Sequence, residues 1–187
     1  MANAAPTTEA KPASPHIEIR EYLPEDHDDV AMLVRDGLMQ YTKPGHEHYD
    51  FWVNYLERSL ATDVADIPGH YQSAGCNFFI VTAVSPSTGQ RVTVGTLGVQ
   101  KVSNEVAELR RVSVKTEYRR YGIGRLLMAH ATQWIRAQGY KKTILHSAST
   151  QLQAIEFYKS LGYTVVKTSV RSQDPYFELT HFEKDLE

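Results

Sequence analysis

The stretch "ELRRVSVKTEYRRYGIGRLL", residues 108–127, decides how this chain is read. Its first half has the character of a strand, and its second half opens a helix at about Gly122. Between Arg110 and Arg125, six basic residues (Arg110, Arg111, Lys115, Arg119, Arg120 and Arg125) stand against one acid, Glu117. That is a local balance of +5 in a chain whose formal net charge is −2. Amide N–H groups at a helix start have no intrahelical acceptor and point outward, so a strand handing over to such a start can cradle phosphate. Gly122 and Gly124 let a ligand approach the backbone there. The competing reading is a basic, solvated helix start. A P-loop is excluded because no Gly-Lys-Ser/Thr follows, and a dinucleotide fingerprint because Leu127 stands where a third glycine is needed.

The strand before the cradle is irregular. Val112 and Val114 share one face, whereas Leu109 falls on the opposite phase. A one-residue slip of this kind is what a β-bulge produces, and a bulge would splay the strand and free its amides for an extended ligand. A strand buried on both faces would place Leu109 equally well. The helix after the cradle, about Gly122 to Gln138, carries Ile123, Leu126, Leu127, Ala131, Trp134 and Ile135 as one apolar stripe. His130 beside it reads as a packing residue. Gly139 ends the helix as a C-cap.

Upstream, "HIEIREY" (16–22) alternates as a first strand, and Pro24 with "EDHDD" supplies an acidic helix start. Val30, Leu33, Val34, Leu38 and Met39 continue at helical spacing, and "YDFWVNYLERSL" (49–60) reads as a second helix. The segment "ATDVADIPGHYQSAG" reads as a loop. "CNFFIVTAV", "RVTVGTLGVQKV" and "EVAELRRVSV" follow with tight turns, as an antiparallel meander. After the helix come the strand "KKTILHSA", the helix "TQLQAIEFYKSL" ending at Gly162, and two closing strands. The order β-α-α-β-β-β-α-β-α-β-β gives a mixed α/β sheet of about seven strands with four helices. Residues 1–15 read as a flexible tail and residues 16–187 as a single domain.

The chain has 187 residues, 42% of them hydrophobic, ordinary values for a globular domain. Its slight acidity argues against a whole-surface grip on nucleic acid. The single cysteine, Cys76, cannot build a disulfide framework or a cysteine-rich metal site, and it reads as packing at a strand start. No window of about 18 apolar residues and no secretory leader is visible, so a cytoplasmic location is expected. "HEHYD" (46–50) departs from the zinc-protease helix motif, because Asp50 stands at the position of the second histidine.

"ELRRVSV…YRRYGIGRLL" is similar to motif A of the GCN5-related N-acetyltransferases, whose pattern Arg/Gln-x-x-Gly-x-Gly/Ala is filled by Arg119, Gly122 and Gly124. "QLQAIEFYKSLGY" (151–163) resembles that family's motif B. The pair leans toward the camello-like group related to cysteine-conjugate N-acetyltransferases, and the element order matches the family fold. The resemblance implies acetyl-CoA as co-substrate, with no metal. Its pyrophosphate would meet the backbone of Arg119, Arg120, Tyr121, Gly122, Ile123, Gly124 and Arg125. Val112, Ser113 and Val114 would pair with the pantetheine arm, and Gln151 would contact it in place of the family's usual asparagine. Tyr158 would protonate the departing thiolate, though Ala154, Ile155, Tyr158 and Leu161 also form a core-facing stripe. Glu108 would take the proton of the incoming amine, or else serve as a strand carboxylate beside Arg110.

Tyr41, His46, His48, Tyr49 and Trp52 would rim the acceptor pocket. The expected reaction is acetyl transfer to a primary amine, a small molecule before a protein, by direct attack in a ternary complex. The alternatives are a non-catalytic CoA-binding sensor or interaction module, or a protein N-acetyltransferase. Neither nucleic acid nor membrane is an expected partner, and there is room for a homodimer.

Overall fold

The computed structural model describes residues 15–85 and 88–186, so the expected tail lies outside the described residues but for Pro15. The chain runs β1 (Ile17–Glu21), α1 (His27–Met39), α2 (Tyr49–Ala61), α3 (Ile67–Tyr71), β2 (Asn77–Val84), β3 (Arg91–Lys101) and β4 (Val106–Val114). It continues through α4 (Ile123–Ala137), β5 (Lys142–Ala148), α5 (Leu152–Ser160), β6 (Thr164–Gln173) and β7 (Tyr176–Asp185). The sheet order is β1-β2-β3-β4-β5-β7-β6. Every neighbouring pair is antiparallel except β4 with β5. That pair is joined through α4, as a parallel connection requires.

Helices cover both faces, and the sequence of β2 shows why. Phe79, Val81 and Ala83 pack with Ile123, Leu127, Ala131 and Ile135 of α4, while Phe78 and Ile80 pack with Val30, Val34, Leu56 and Ile67 on the other side. A strand buried on both faces reads as the continuous apolar run seen there. Leu127 and Ile135 are fully buried, and burial of such side chains stabilises the fold by about 1.5–3 kcal/mol each.

Two expectations need correction. The segment read as a loop contains α3, whose start is capped by Asp66 accepting a hydrogen bond from the Gly69 amide, with a proline in its first turn. Five residues are too few for an apolar period to show. Leu126 is 51% exposed and does not belong to the α4 stripe, whose place is taken by Met128. At about 100° per residue, Leu126 lies roughly 130° around the helix from the centre of the buried face. No helix among the described residues is long and apolar enough to cross a membrane.

Candidate functional site

The β-bulge is present. Gly98 pairs with Arg110 and Thr96 with Ser113, so Arg111 and Val112 together oppose Leu97. Arg111 takes a left-handed φ of +53°, a conformation that costs a non-glycine residue free energy and must be held by its surroundings. The holding contacts are visible. Its carbonyl accepts from Thr96 Oγ1 at 2.8 Å. Its guanidinium donates to both oxygens of Asp63, Nε to Oδ2 at 2.8 Å and a terminal nitrogen to Oδ1 at 2.5 Å. The Tyr71 hydroxyl donates to the same carboxylate at 2.6 Å. The slip puts Leu109, Val112 and Val114 all against the α4 side.

The bulge matters because of what happens beyond it. β4 pairs with β5 only from Val106–Lys142 to Leu109–Leu145, whereas β5 stays paired with β7 to Ala148. The two parallel strands therefore part after Leu109. Residues 110–114 of β4 turn an unpaired backbone edge into the wedge. Ser113 sends its side chain the other way, against Gly37 of α1.

The cradle lies at the end of that edge. The amides of residues 120–125, six in succession, donate to no described acceptor. A helix start alone leaves its first few amides free; here Arg120 and Gly122 at φ +71° and +77° extend the run upstream of α4. Backbone turns with alternating left-handed residues concentrate N–H groups on one concave side and bind anions. A Cβ on Gly122 would meet nothing, so that side of the loop is open. Gly124 answers to a different need, since its Cβ would come within 3.2 Å of the Phe157 ring, so it lets α4 approach α5.

The +5 charge island does not survive as a single patch. Arg111 is buried against Asp63, Arg110 bonds Gln100 Oε1 at 2.8 Å, Arg119 Nε bonds the Val114 carbonyl at 3.1 Å, and Arg125 bonds Ser160 Oγ at 2.8 Å. Arg119 and Arg120 remain beside the free amides.

Of the expected functional side chains, Glu108 lies on β4 at its last paired residues, and Gln151 and Tyr158 lie at the start and on the body of α5, the helix that follows β5. Glu108 Oε1 lies 3.0 Å from His146 Nδ1 across the last paired residues of β4 and β5. Burial alone would push this carboxyl up, but the His146 hydrogen bond and the charge of Arg110 outweigh it, and its pKa lies below the usual range. Tyr158 is 7% exposed and packs near Tyr163 and Phe182. Burial pushes its pKa well above the ordinary phenol value, and its hydroxyl has no hydrogen-bond partner among the described residues. Gln151 stands at the N-cap of α5 and accepts from Ser147 Oγ at 2.9 Å.

The expected rim is aromatic. Trp52 and Phe177 are buried, and the half-buried Phe51 packs against them with its ring centre 4.2 Å from that of Phe177. Tyr41 packs against Trp52, and His48 meets Phe177 edge-on. Thr42 Oγ1 and His48 Nδ1 are buried without a partner among the described residues. No group of three or more metal-ligating side chains stands together there or elsewhere among the described residues.

Sequence reading missed Asp63, His146 and His181. Asp63 sits in a polar connection with no period to mark it. His146 and His181 are the polar members of alternating strands, and only the β4-β5-β7 order puts them in line with Glu108.

Residues 34–163 match the model of the acetyltransferase (GNAT) family, and the chain belongs to that family. It is 34% identical to N-acetyltransferase family 8 member 3 of Rattus norvegicus over 117 residues, 60% of this chain and 49% of that protein. It is 31% identical to human N-acetyltransferase 8 over the same share of each. These relatives bear out the camello-like leaning. The chain spans about half the length of the relatives it matches. The PaiA N-acetyltransferase of Thermoplasma acidophilum, solved in complex with coenzyme A, shares the fold at TM-score 0.66 and 20% identity, over 91% of this chain and 99% of that one.

Proposed function

We propose that this domain transfers an acetyl group from acetyl-CoA to a primary amine, a small molecule in preference to a protein, by direct attack in a ternary complex. One observation carries the reading: the run of free amides at residues 120–125 lies at the end of an unpaired β4 edge, where β4 and β5 part. Few ligands need both a phosphate cradle and an extended polar edge. A pyrophosphate joined to an amide-bearing arm needs both. The names of the relatives, N-acetyltransferases, agree with it.

Acetyl-CoA supplies the activated acyl carbon and a thiolate leaving group. The chain's own residues bind, orient and move protons. Amides 120–125, with Arg119 and Arg120, hold phosphate oxygens, helped by the α4 dipole. The backbone of Val112, Ser113 and Val114 lines the arm, and the Gln151 amide reaches it from the α5 side. Tyr158 stays protonated at neutral pH because burial raises its pKa, so its hydroxyl serves as a donor to the departing sulfur. Glu108 provides the carboxylate on the base side, opposite the acid.

Incubation with acetyl-CoA and a panel of primary amines, small-molecule and peptide, tests this through release of the CoA thiol. The expected result is turnover of a small amine. Tight binding without turnover of any amine would point instead to a CoA sensor. Turnover of peptides alone would overturn the small-molecule assignment.

A further inference from the structure

We propose that His146 Nε2 is the atom that takes the acceptor's proton, with Glu108 holding the imidazole in the competent tautomer and His181 packed edge-on behind it. The proposal rests on the transfer reading above and deepens it.

The geometry starts at Glu108. An ionised carboxylate can only accept hydrogen bonds, so its contact with His146 Nδ1 at 3.0 Å requires the proton on Nδ1. The neutral ring then carries its lone pair on Nε2. That nitrogen has no hydrogen-bond partner among the described residues, and the side chain is 32% exposed. Glu108 precedes the last β4–β5 pair, Leu109 with Leu145, and His146 directly follows it. The dyad therefore sits at the apex of the wedge, where the strands part.

Glu108 alone is poorly suited to keep a proton. Burial favours its neutral form, but His146 and Arg110 more than offset this and keep it ionised. A neutral imidazole with a free ring nitrogen is the side chain most often used to accept a proton in general base catalysis. His181 lies across the β5–β7 pair, its ring centre 4.4 Å from that of His146 and its plane at 87°. Its Nε2 is 2.6 Å from Ser169 Oγ on β6. Burial, with the nearby His146 and Lys167, holds its pKa below the ordinary value. A proton arriving on His146 therefore meets a neutral neighbour. The charged and titratable groups around the dyad are Glu108 and Arg110 from β4, His181 from β7 and, beyond it, Lys167 from β6.

In the step itself, the amine lone pair forms the N–C bond to the acyl carbon and one N–H proton passes to His146 Nε2. The C–S bond breaks with its electron pair going to sulfur, which takes a proton from the Tyr158 hydroxyl. The imidazolium then returns its proton to solvent, and the phenolate takes one up. Amine and thioester thus become amide and thiol.

Long-range 1H–15N correlation of the labelled protein reads the tautomer without any acceptor. The expected spectrum has His146 with its proton on Nδ1 in the wild type and mainly on Nε2 in Glu108→Ala. The pH profile of kcat/KM is then measured with the least basic amine of the panel that is turned over, so that the amine's own titration falls away. The expected wild-type profile rises with pH through an imidazole limb. His146→Gln is expected to lose that limb and about 100-fold or more in kcat, with KM for acetyl-CoA unchanged. A proton on Nε2 in the wild type overturns the proposal, and so does a His146→Gln enzyme with full kcat and the same limb. Failure of the wild type to acetylate any amine counts against the transfer reading and takes the base role with it. Normal turnover with an unaltered limb in the variant counts against the base role alone.

Discussion

Asp63 and Arg111, 48 residues apart in sequence, form a two-pronged ion pair whose side chains are 5% and 8% exposed. Arg111 is the left-handed residue of the β4 bulge. The pair thus ties the connection after α2 to the point at which β4 leaves β5. Its function is mechanical. It holds open the backbone conformation that gives the wedge its free edge.

Asp63→Asn leaves a buried guanidinium without its counter-charge, and such breaks cost about 3–5 kcal/mol. Chemical denaturation is expected to show a loss of that order. Acetyl-CoA affinity should fall as well, because the bulge loses its anchor.

The same pair sets an acid limit. Burial would raise the Asp63 carboxyl, but the bonds from Arg111 and Tyr71 more than reverse this and bring it down to about 2, from an ordinary 3.8. A depressed folded-state pKa gives stability that is present above the unfolded value and lost as pH falls through the folded one. About 2 kcal/mol should therefore disappear between roughly pH 4 and pH 2. Denaturation midpoints across that range should show this loss in the wild type and not in Asp63→Asn.

The fold was legible where periods are long. The α4 stripe, the meander and the slip between Leu109 and Val112 are all properties of neighbouring residues, and each could be read locally. The bulge was one of two readings, and the register of Gly98 and Ser113 decides between them. The charge island misled, because counting arginines cannot tell that Arg111 turns inward to Asp63. Gly95 and Gly98 were visible in β3, but the reason for Gly98 is the Tyr71 ring, which arrives from α3. The Glu108–His146–His181 line crosses three strands, and no single segment contains it.

Gly98→Ala follows from that contact. A Cβ there would come within 2.8 Å of Tyr71 Cε1 and 3.2 Å of Phe78 Cδ2, both on buried rings. Overpacking of this kind costs about 1–3 kcal/mol. The urea midpoint should fall accordingly.

Tyr158→Phe separates packing from chemistry. The ring is buried, but its hydroxyl bonds to no described group. Removing it should leave stability within about 1 kcal/mol of wild type, because no bond is broken. Turnover should fall by about 100-fold or more if the hydroxyl protonates the leaving sulfur. Steady-state kinetics with acetyl-CoA near saturation reads the difference, and a variant with full kcat removes Tyr158 from the mechanism.

The most direct test of the account is calorimetric titration of acetyl-CoA into the wild type and Gly122→Asp. Aspartate tolerates a left-handed φ better than most residues, and the Cβ at this position meets no neighbour, so the variant should fold. Its carboxylate would bring negative charge to the amides that otherwise meet phosphate. The account predicts binding by the wild type and a loss of about 100-fold or more in a folded variant, a cost of roughly 2.7 kcal/mol. Equal affinity in the two proteins, or no binding by the wild type, would contradict the cradle on which the whole reading stands.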